Sequence, residues 1–391
     1  MKRLTIACFI FCLISQVIAD DGSVDDLFDE QSDVEITQTT EVSDNQNLPG
    51  AAIQENQKIK ITGSIATTGG IFAEYNYLPW DDRFTAMPDF NAGLTASSAL
   101  SIEAHPDIYF SYYASFMASI DPLKYGTVNW SDFTITALYC EYIWLDTVFW
   151  KLGKYSFIWG QGRLFAPGNL VSDSSNNYTI MATLPTLFSG SQLFMQFSNG
   201  QFGTNVLPLY ETTIYGAKTD IVVWDTYIGL GGRWKPSEDI KILLSLKKTI
   251  FGIDIHSDSV TTITNSSSET EAEVSGSLLF GFYKQWSDFH LYGEFLLADI
   301  SNPRYDSGLV MGYNNIFKLP VDPVIKWMHC WSDGSGYVSA GIKWDAWPYV
   351  KIEGGVSLVY GADSSVYVAG NTNPNGQRFM FALIITLSGN F

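Results

Sequence analysis

Apolar and polar residues alternate along most of the chain from Lys58 onward, and this period of two constrains the fold more than any other feature. Between residues 240 and 250, for example, Ile242 and Leu244 share one set of alternate positions, and Lys241 and Lys247 share the other. Side chains of a β-strand point to opposite faces in turn, so such a segment has one apolar face and one charged face. The pattern recurs in residues 108–116, 224–234, 289–297, 338–345 and 350–358. The sequence therefore predicts an all-β fold.

Alternation alone does not say which face lies outside. A soluble sandwich packs its apolar faces inward, whereas a membrane barrel turns them to lipid. The chain is 46% hydrophobic, 15% aromatic and only 16% charged, yet beyond its first residues it has no apolar run long enough for a membrane helix. Trp and Tyr recur near the predicted strand ends, as the interfacial girdles of barrels require. These features favour a barrel surrounded by outer-membrane lipid.

The N-terminal residues have the pattern of a secretory signal peptide. Lys2 and Arg3 supply the positive start, residues 4–14 are apolar, and Ala19 ends a small-residue cleavage site. Residues 1–19 are therefore predicted to be a signal peptide. Residues 20–57 contain eleven acids and no Lys or Arg, which predicts a disordered periplasmic segment; a plug or docking arm is the alternative. Without a basic stripe, nucleic acid is not an expected partner.

The last strand ends on an aromatic residue. Phe379, Phe381, Leu383 and Ile385 lie on one face of it, and the chain stops at Phe391. Such an ending resembles the assembly signal of outer-membrane β-barrel proteins of Gram-negative bacteria. The resemblance implies insertion into the outer membrane by the barrel assembly machinery, which would recognise the C-terminal strand, with the C-terminus in the periplasm. It identifies residues 58–391 as a porin-like barrel.

Short and long connections alternate along the predicted barrel, as in bacterial barrels, where the short turns are periplasmic. Short turns are expected at residues 235–239, 285–288 and 345–348, and long loops at 159–190, 252–272 and 361–377. Fourteen antiparallel strands follow if residues 301–333 form one loop, and sixteen if 309–317 and 324–330 are strands. Pro320 and Pro323 interrupt that stretch, so the prediction is an up-and-down transmembrane barrel of about 14 strands, within a range of 12–16.

A barrel of this width has room for a water-filled lumen. The charged and polar residues on the inner faces of the strands are predicted to line it: Lys60, Glu103, Asp225, Arg233, Lys241, Lys247, His290, Glu294, Lys343, Lys351 and Glu353. Facing cations and anions would hold water and create a field across a pore. Alternatively, they neutralise one another and pack the interior shut.

Residues 151–170 differ from the rest in their glycines and proline. Their pattern K-x-G-K-x-x-x-x-W-G-x-G-R-x-F-x-P-G-N resembles a stretch in barrel proteins of spirochaetes and other Gram-negative bacteria. The long loop that begins here is predicted to fold inward and narrow the pore, with Trp159, Arg163 and Phe165 at the constriction. The alternative is a surface loop in which Gly160 and Gly162 only turn the chain.

Catalytic signatures are weak. His256 and Asp258 neighbour each other in sequence, but a catalytic triad is built from groups that converge in space. His329 and Cys330 supply fewer ligands than zinc requires. Cys140 and Cys330 either pair or stay free. The chain is therefore predicted not to be an enzyme and to need no cofactor or metal.

Three functions remain open at this level. The charged inner face favours a channel for passive passage of small hydrophilic solutes. A fatty-acid-carrier-like transporter of apolar solutes is the first alternative, and it would use the N-terminal segment as a plug. The second is a surface adhesin or antigen that binds through long loops such as residues 252–272, which are rich in Ser and Thr.

Overall fold

The computed structural model describes residues 59–81, 84, 87–120, 133–171, 177–185, 190–198, 213–236, 239–264, 273–371 and 378–390. Within these ranges 18 strands form one antiparallel sheet. The predicted signal peptide, the acidic segment 20–57 and Phe391 lie outside the described residues. The predictions made for them stay predictions.

The strands vary in length from seven residues in β5 to 19 in β2. They are β1 (Ile59–Tyr75), β2 (Asp89–Asp107), β3 (Phe110–Ile120), β4 (Phe133–Trp144), β5 (Val148–Lys154), β6 (Asn177–Pro185), β7 (Gly190–Ser198), β8 (Ile214–Val223), β9 (Thr226–Trp234), β10 (Asp239–Ile250), β11 (Ile253–Thr264), β12 (Glu273–Trp286), β13 (Phe289–Leu297), β14 (Tyr305–Tyr313), β15 (Val321–Cys330), β16 (Ser335–Trp347), β17 (Val350–Tyr360) and β18 (Phe379–Asn390). A short α-helix, α1 (Val366–Asn371), lies between β17 and β18.

The sheet closes on itself. Each strand pairs with the next one along the chain, and β18 pairs with β1 in a register that runs from Ser64 opposite Asn390 to Tyr75 opposite Phe379. Closure leaves no open sheet edge, so the backbone groups of the first and last strands are satisfied by each other. The prediction of an all-β, antiparallel up-and-down barrel is confirmed.

The predicted number of about 14 strands is wrong. Residues 301–333 form β14 and β15 rather than one loop, and the expected loop 252–272 contains β11. The expected loop 159–190 contains β6. In two of these four strands the alternating pattern is interrupted: Pro323 lies within β15, and β11 carries Ser257 and Ser259 on its outer face, where apolar residues were expected.

Connections of two kinds mark the two ends of the barrel. At the short-turn end, hairpins are tight: Trp224 and Asp225 join β8 to β9, and Phe251 and Gly252 join β10 to β11. All four have positive φ, as two-residue type I′ hairpin turns require. The opposite, long-loop end carries longer connections, such as that between β17 and β18. The periplasmic turn predicted at residues 235–239 is at the wrong end: Lys235 and Asp239 lie at the long-loop end. The tight turns at 224–225 and 251–252, which precede β9 and follow β10, occupy the opposite end.

Side chains alternate between the two faces of the wall. On β10 the exposed Ile242, Leu244 and Leu246 face outward, while the fully buried Leu243 and Ser245 face inward. The same outward rows of exposed apolar side chains appear on β12, β16 and β18. The described helices include none that is long and apolar enough to cross a membrane.

Helix α1 is held against the rim of the barrel by the turn between β15 and β16. The N–H of Val366 donates to Asp333 Oδ2 at 2.7 Å, and the N–H of Tyr367 donates to Ser335 Oγ at 3.3 Å. Val368 is buried, and α1 contacts β16 and β17. The connection between β17 and β18 is therefore docked on the wall where it passes through α1.

Candidate pore constriction

The chain leaves the wall at the end of β5 and folds into the barrel. Residues 155–171, here called the inner loop, contain no strand or helix and contact inward-facing side chains of β7, β10, β11 and β13. The turn is possible because β5 is only seven residues long, so the chain departs below the long-loop rim. The next described strand of the wall is β6, which begins at Asn177.

An apolar cluster anchors the first and last parts of the inner loop. Trp159, Leu170 and Val171 are each 2% exposed and pack with Phe194, Leu243 and Val260 of the wall. The rings of Trp159 and Phe194 meet edge to face with centroids 5.1 Å apart. Trp159 Nε1 donates to Gln192 Oε1 at 3.2 Å, which satisfies the only polar group of the indole.

A buried carboxylate on β11 holds the middle of the inner loop. Asp258 Oδ2 accepts hydrogen bonds from the backbone N–H groups of Gln161 at 2.6 Å and Gly162 at 3.1 Å. Its second oxygen, Oδ1, accepts one from Ser245 Oγ at 2.6 Å. Asp258 is fully buried, and hydrogen bonds to a carboxylate are stronger than those between neutral groups.

A second carboxylate, on β13, holds the next three residues. Glu294 Oε1 accepts the N–H of Arg163 at 2.7 Å, and Oε2 accepts those of Leu164 at 3.0 Å and Phe165 at 2.8 Å. Asp258 and Glu294 thus bind five consecutive backbone N–H groups. Because the inner loop has no secondary structure, these donors would otherwise need water or remain unpaired.

Side chains beside Glu294 complete its hydrogen bonding. His256 Nε2 lies 3.1 Å from Glu294 Oε1, and the Tyr292 hydroxyl donates to the same oxygen. The rings of His256 and Tyr292 are nearly parallel, with centroids 5.8 Å apart. All three side chains are buried. His256 and Tyr292 therefore hold the Glu294 carboxylate in place from the wall, and the inner loop binds its other side.

Two glycines allow the inner loop to approach Asp258. A Cβ atom added at either Gly160 or Gly168 would lie 2.8 Å from Asp258 Oδ2, closer than a carbon and an oxygen can come without displacement. Gly160 also has a φ of 89°, which side-chain-bearing residues rarely adopt. Gly160 and Gly168 therefore allow the backbone of the inner loop to lie directly against the carboxylate of Asp258, in addition to turning the chain.

The tip of the inner loop carries two of the three predicted constriction residues. Arg163 is exposed, and its guanidinium carbon lies 5.6 Å from the ring centroids of both Tyr283 and Tyr292. Phe165 is half-buried and approaches Gly308 on β14. Trp159, the third, is buried in the anchor instead. Their assignment to a constriction stays a prediction.

The predicted pore-lining residues fall on the inner face, apart from Asp225, and several are neighbours across strand pairs. Lys60 is opposite Glu103, and Lys343 is opposite Glu353. Such pairing brings opposite charges together along the inner wall. Lys351, on the same face of β17 as Glu353, is opposite Asp345.

A second charged group lies on β9 and β10. Arg233 and Lys241 are opposite each other, and both lie 3.5 Å from an oxygen of Asp239. Lys247 follows on the same face and is opposite His256. His290 lies on the inner face of β13 and covers Gly312.

The prediction for Asp225 is wrong. Asp225 is exposed in the two-residue turn between β8 and β9, with a φ of 57°, so it is not part of the wall. The predicted strand ran through this point because Trp224 and Tyr227 fitted an alternating pattern. The structure places Asp220 inside instead, where it accepts the Tyr227 hydroxyl and lies 3.1 Å from Lys218 Nζ.

Asp258 is the main residue that sequence reasoning missed. It was assigned to a loop together with His256, because β11 was not recognised. The sequence did contain one sign of this strand: Asp258 is two residues from His256, the spacing that places two side chains on the same face of a strand. Lys218, Asp306 and Lys326, all on inner faces, were missed as well.

The described part of the chain contains neither a metal site nor a disulfide. There, no group of three or more His, Cys, Asp or Glu residues is placed to hold a metal ion. Cys140, on β4, and Cys330, on β15, are both free thiols.

No protein-family model matches the chain, and neither does any curated protein. Solved structures do resemble it. A BenF-like porin from Pseudomonas fluorescens Pf-5 aligns over 85% of this chain and 99% of its own, with a TM-score of 0.54 and 9% identity. OccK2 (OpdF) of Pseudomonas aeruginosa, solved with glucuronate, aligns over 85% and 98%, with a TM-score of 0.56 and 8% identity.

OpdK of Pseudomonas aeruginosa, solved with vanillate, aligns over 85% of this chain and 99% of its own, with a TM-score of 0.52 and 8% identity. At such identities the likeness concerns the fold, and it extends over nearly all of each porin. The chain therefore has the closed antiparallel β-barrel fold of these outer-membrane porins.

Proposed function

We propose that the chain is an outer-membrane channel for passive passage of small hydrophilic solutes, with the inner loop as its constriction. In this proposal Arg163 and Phe165 border the narrowest part, and Trp159 anchors the loop. The observation that carries the proposal is the capture of five consecutive backbone N–H groups, those of residues 161–165, by Asp258 and Glu294. A loop that only covered the surface would not need buried carboxylates inside the barrel.

The polarity of the inner face supports a hydrophilic solute over an apolar one. Asp258, Glu294 and Lys326 are buried there, together with Ser245 and Ser339. A carrier of apolar solutes would be expected to have an apolar path. The adhesin alternative loses most of its basis, because residues 253–264 of the loop proposed for it form β11.

Small organic acids belong among the solutes to be tested. Two of the similar porins were solved with glucuronate and vanillate, and both compounds are small carboxylates. Those ligands are properties of those proteins. In this chain Arg163 is an exposed cation at the tip of the inner loop, and a cation at a narrow point would favour anionic solutes.

The proposal includes a location and an orientation. The outward rows of apolar side chains would face outer-membrane lipid, with the short-turn end and both termini in the periplasm. Phe391 would serve as the signal for the barrel assembly machinery, and β18, which closes the barrel against β1, would be the strand recognised. Residues 20–57 would remain a periplasmic segment.

Liposome swelling tests the proposal. Liposomes that contain the purified chain are diluted into iso-osmotic solutions of solutes of increasing size, including glucuronate, neutral sugars and amino acids. We expect swelling that slows with solute size, and faster entry for anions than for neutral solutes of equal size. Swelling no faster than that of protein-free liposomes, for every solute, would contradict the proposal.

A further inference from the structure

A groove of about 580 Å³ lies on the outer face of the barrel, across β5 to β10. Its floor is a row of residues that are neighbours in the strand register. Trp150 is opposite Ala182, which is opposite Leu193; Leu193 is opposite Ala217, which is opposite Gly232. The small side chains of Ala182 and Ala217, and the absence of one at Gly232, make the row low at these three positions.

The next outward row forms one side of the groove. Tyr215 is opposite Trp234 in the register, and their ring centroids are 5.6 Å apart. Ile180 and Met195 continue this row, and Ile240 ends it. Within the floor row, the exposed side chain of Leu193 rises between Ala182 and Ala217, and that of Ile242 rises beyond Gly232. The result is an open, apolar depression in the outer wall, deepest at Ala182, Ala217 and Gly232.

The wall is thin at this groove because two adjacent residues, Gly231 and Gly232, have no side chains. Inside the barrel, the ring of Trp159 lies against Gly231, where an added Cβ would be 3.3 Å from two ring atoms. Gly232, the next residue, faces outward, and an added Cβ there would meet only Lys241 O, at 3.8 Å. The groove therefore lies directly behind the anchor of the inner loop, with two glycines between them.

The location of the groove on the outer face of the barrel indicates what kind of molecule can fill it. If the barrel spans a membrane, as in the proposed function, this face meets the hydrocarbon region. Water is a poor occupant, because a buried water needs several polar partners. A flat partner wall would rest on Leu193 and Ile242 and would not reach the floor. A thin, flexible apolar chain fits both the shape and the chemistry.

We propose that this groove binds one acyl chain of a membrane lipid. The floor row contacts the methylene groups, and Tyr215 and Trp234 border the chain where amphipathic rings commonly lie, near the membrane interface. Bound in this way, the acyl chain supports the thin wall from outside while Trp159 packs on it from inside. The inference depends on the membrane-spanning barrel of the proposed function.

Gly232→Phe tests the proposal, because the new ring would fill the groove from its open floor. Gly354→Phe is the matched control. Gly354 also faces outward, on β17, and an added Cβ would meet Leu383 Cδ1 at an ordinary 3.7 Å. The wild type and both variants are inserted into vesicles of phosphatidylethanolamine and phosphatidylglycerol, then extracted with mild detergent. Retained lipid is counted by native mass spectrometry.

We expect one retained phospholipid per chain for the wild type and Gly354→Phe, and about tenfold less for Gly232→Phe, equivalent to roughly 1.4 kcal/mol. A phospholipid with a photoreactive acyl chain should label the peptides of β5 to β10 in the wild type. Equal retention by both variants, or labelling spread around the barrel, would overturn the site. Wild-type dimers that Gly232→Phe abolishes would assign the groove to a second copy instead. Failure of all three proteins to insert into vesicles would count against the proposed function itself.

Discussion

The carboxylate of Glu294 accepts the backbone N–H of Phe165 at 2.8 Å, although the two residues are 129 positions apart in the chain. This contact joins β13 to the inner loop across the inside of the barrel. Asp258 on β11 makes the equivalent contact with Gln161. The inner loop is thus fixed by two points on one side of the wall, and its conformation depends on strands far from its own.

Removing either carboxylate charge should loosen the inner loop. In Glu294→Gln the amide nitrogen cannot accept the hydrogen bonds that Oε2 now accepts from Leu164 and Phe165. Each buried N–H left without an acceptor costs about 1–3 kcal/mol. We expect larger and noisier single-channel currents from Glu294→Gln and from Asp258→Asn.

Glu353→Gln is the control for that experiment. It removes the same charge from an inward-facing, buried carboxylate on β17, four strands further along the sheet. We expect it to alter ion selectivity slightly without adding current noise. Equal noise in Glu353→Gln and Glu294→Gln would contradict the role of Glu294 as a tether.

Reversing the charge at the tip of the inner loop should change ion selectivity. An interaction of about 1 kcal/mol between a passing ion and a unit charge in a water-like environment corresponds to roughly a fivefold change in relative permeability. Arg163→Glu should therefore shift the reversal potential in a salt gradient toward cation selectivity. Lys248→Glu, on the outer face of β10, should leave it unchanged. An unaltered reversal potential in Arg163→Glu would place Arg163 away from the ion path.

Truncating the anchor should free the inner loop while leaving the barrel intact. Trp159 is 2% exposed, and replacing a buried Trp by Ala costs about 3–5 kcal/mol in well-packed sites. In Trp159→Ala we expect proteases to cleave within residues 155–171, with little change in the thermal unfolding of the barrel. Trp344→Ala, at an outward position, should remain resistant. A large loss of barrel stability in Trp159→Ala alone would show that the loop is part of the folding unit.

Docking of α1 should depend on pH through Asp333, which lies in the turn between β15 and β16. Burial alone would raise the pKa of Asp333, but hydrogen bonds from the hydroxyl and N–H of Ser335 and from the N–H of Val366 outweigh it and lower the pKa to about 2. Because this folded-state pKa lies below the ordinary value of 3.8, the stabilisation is complete above about pH 4. It is lost as the pH falls through about 2.

Amide hydrogen exchange of Val366 and Tyr367, corrected for the intrinsic effect of pH, measures this docking. Protection should be constant above pH 4 and fall toward pH 2 in the wild type. Asp333→Asn, which cannot ionise, should show weak protection that does not change over this range. A wild-type profile as flat as that of Asp333→Asn would refute the contribution of Asp333.

The sequence predicted the closed barrel because strong alternation, as in β10 and β18, reflects one apolar and one polar face of each strand. The sequence analysis missed strands whose outer faces are not consistently apolar. Ser257 and Ser259 interrupt the apolar face of β11, and Pro323 lies within β15. Periodicity cannot find such strands, because their pairing partners on both sides determine their conformation.

The candidate site was predictable in part. The glycine-rich pattern around Gly160 pointed to an unusual loop, and Glu294 was placed correctly on an inner face. The link between them was not predictable, since backbone N–H groups leave no mark in a sequence and Asp258 was hidden in an unrecognised strand. Trp159 was expected at the constriction, but its size and apolar character place it in the anchor, where it is buried.

Planar-bilayer recording of the purified chain tests the central claim most directly. The account predicts discrete conductance steps, both for the chain from residue 20 onward and for a form that lacks residues 20–57, with step sizes that increase in Glu294→Gln. The absence of any conductance from either form, although both insert as folded barrels, would contradict the channel.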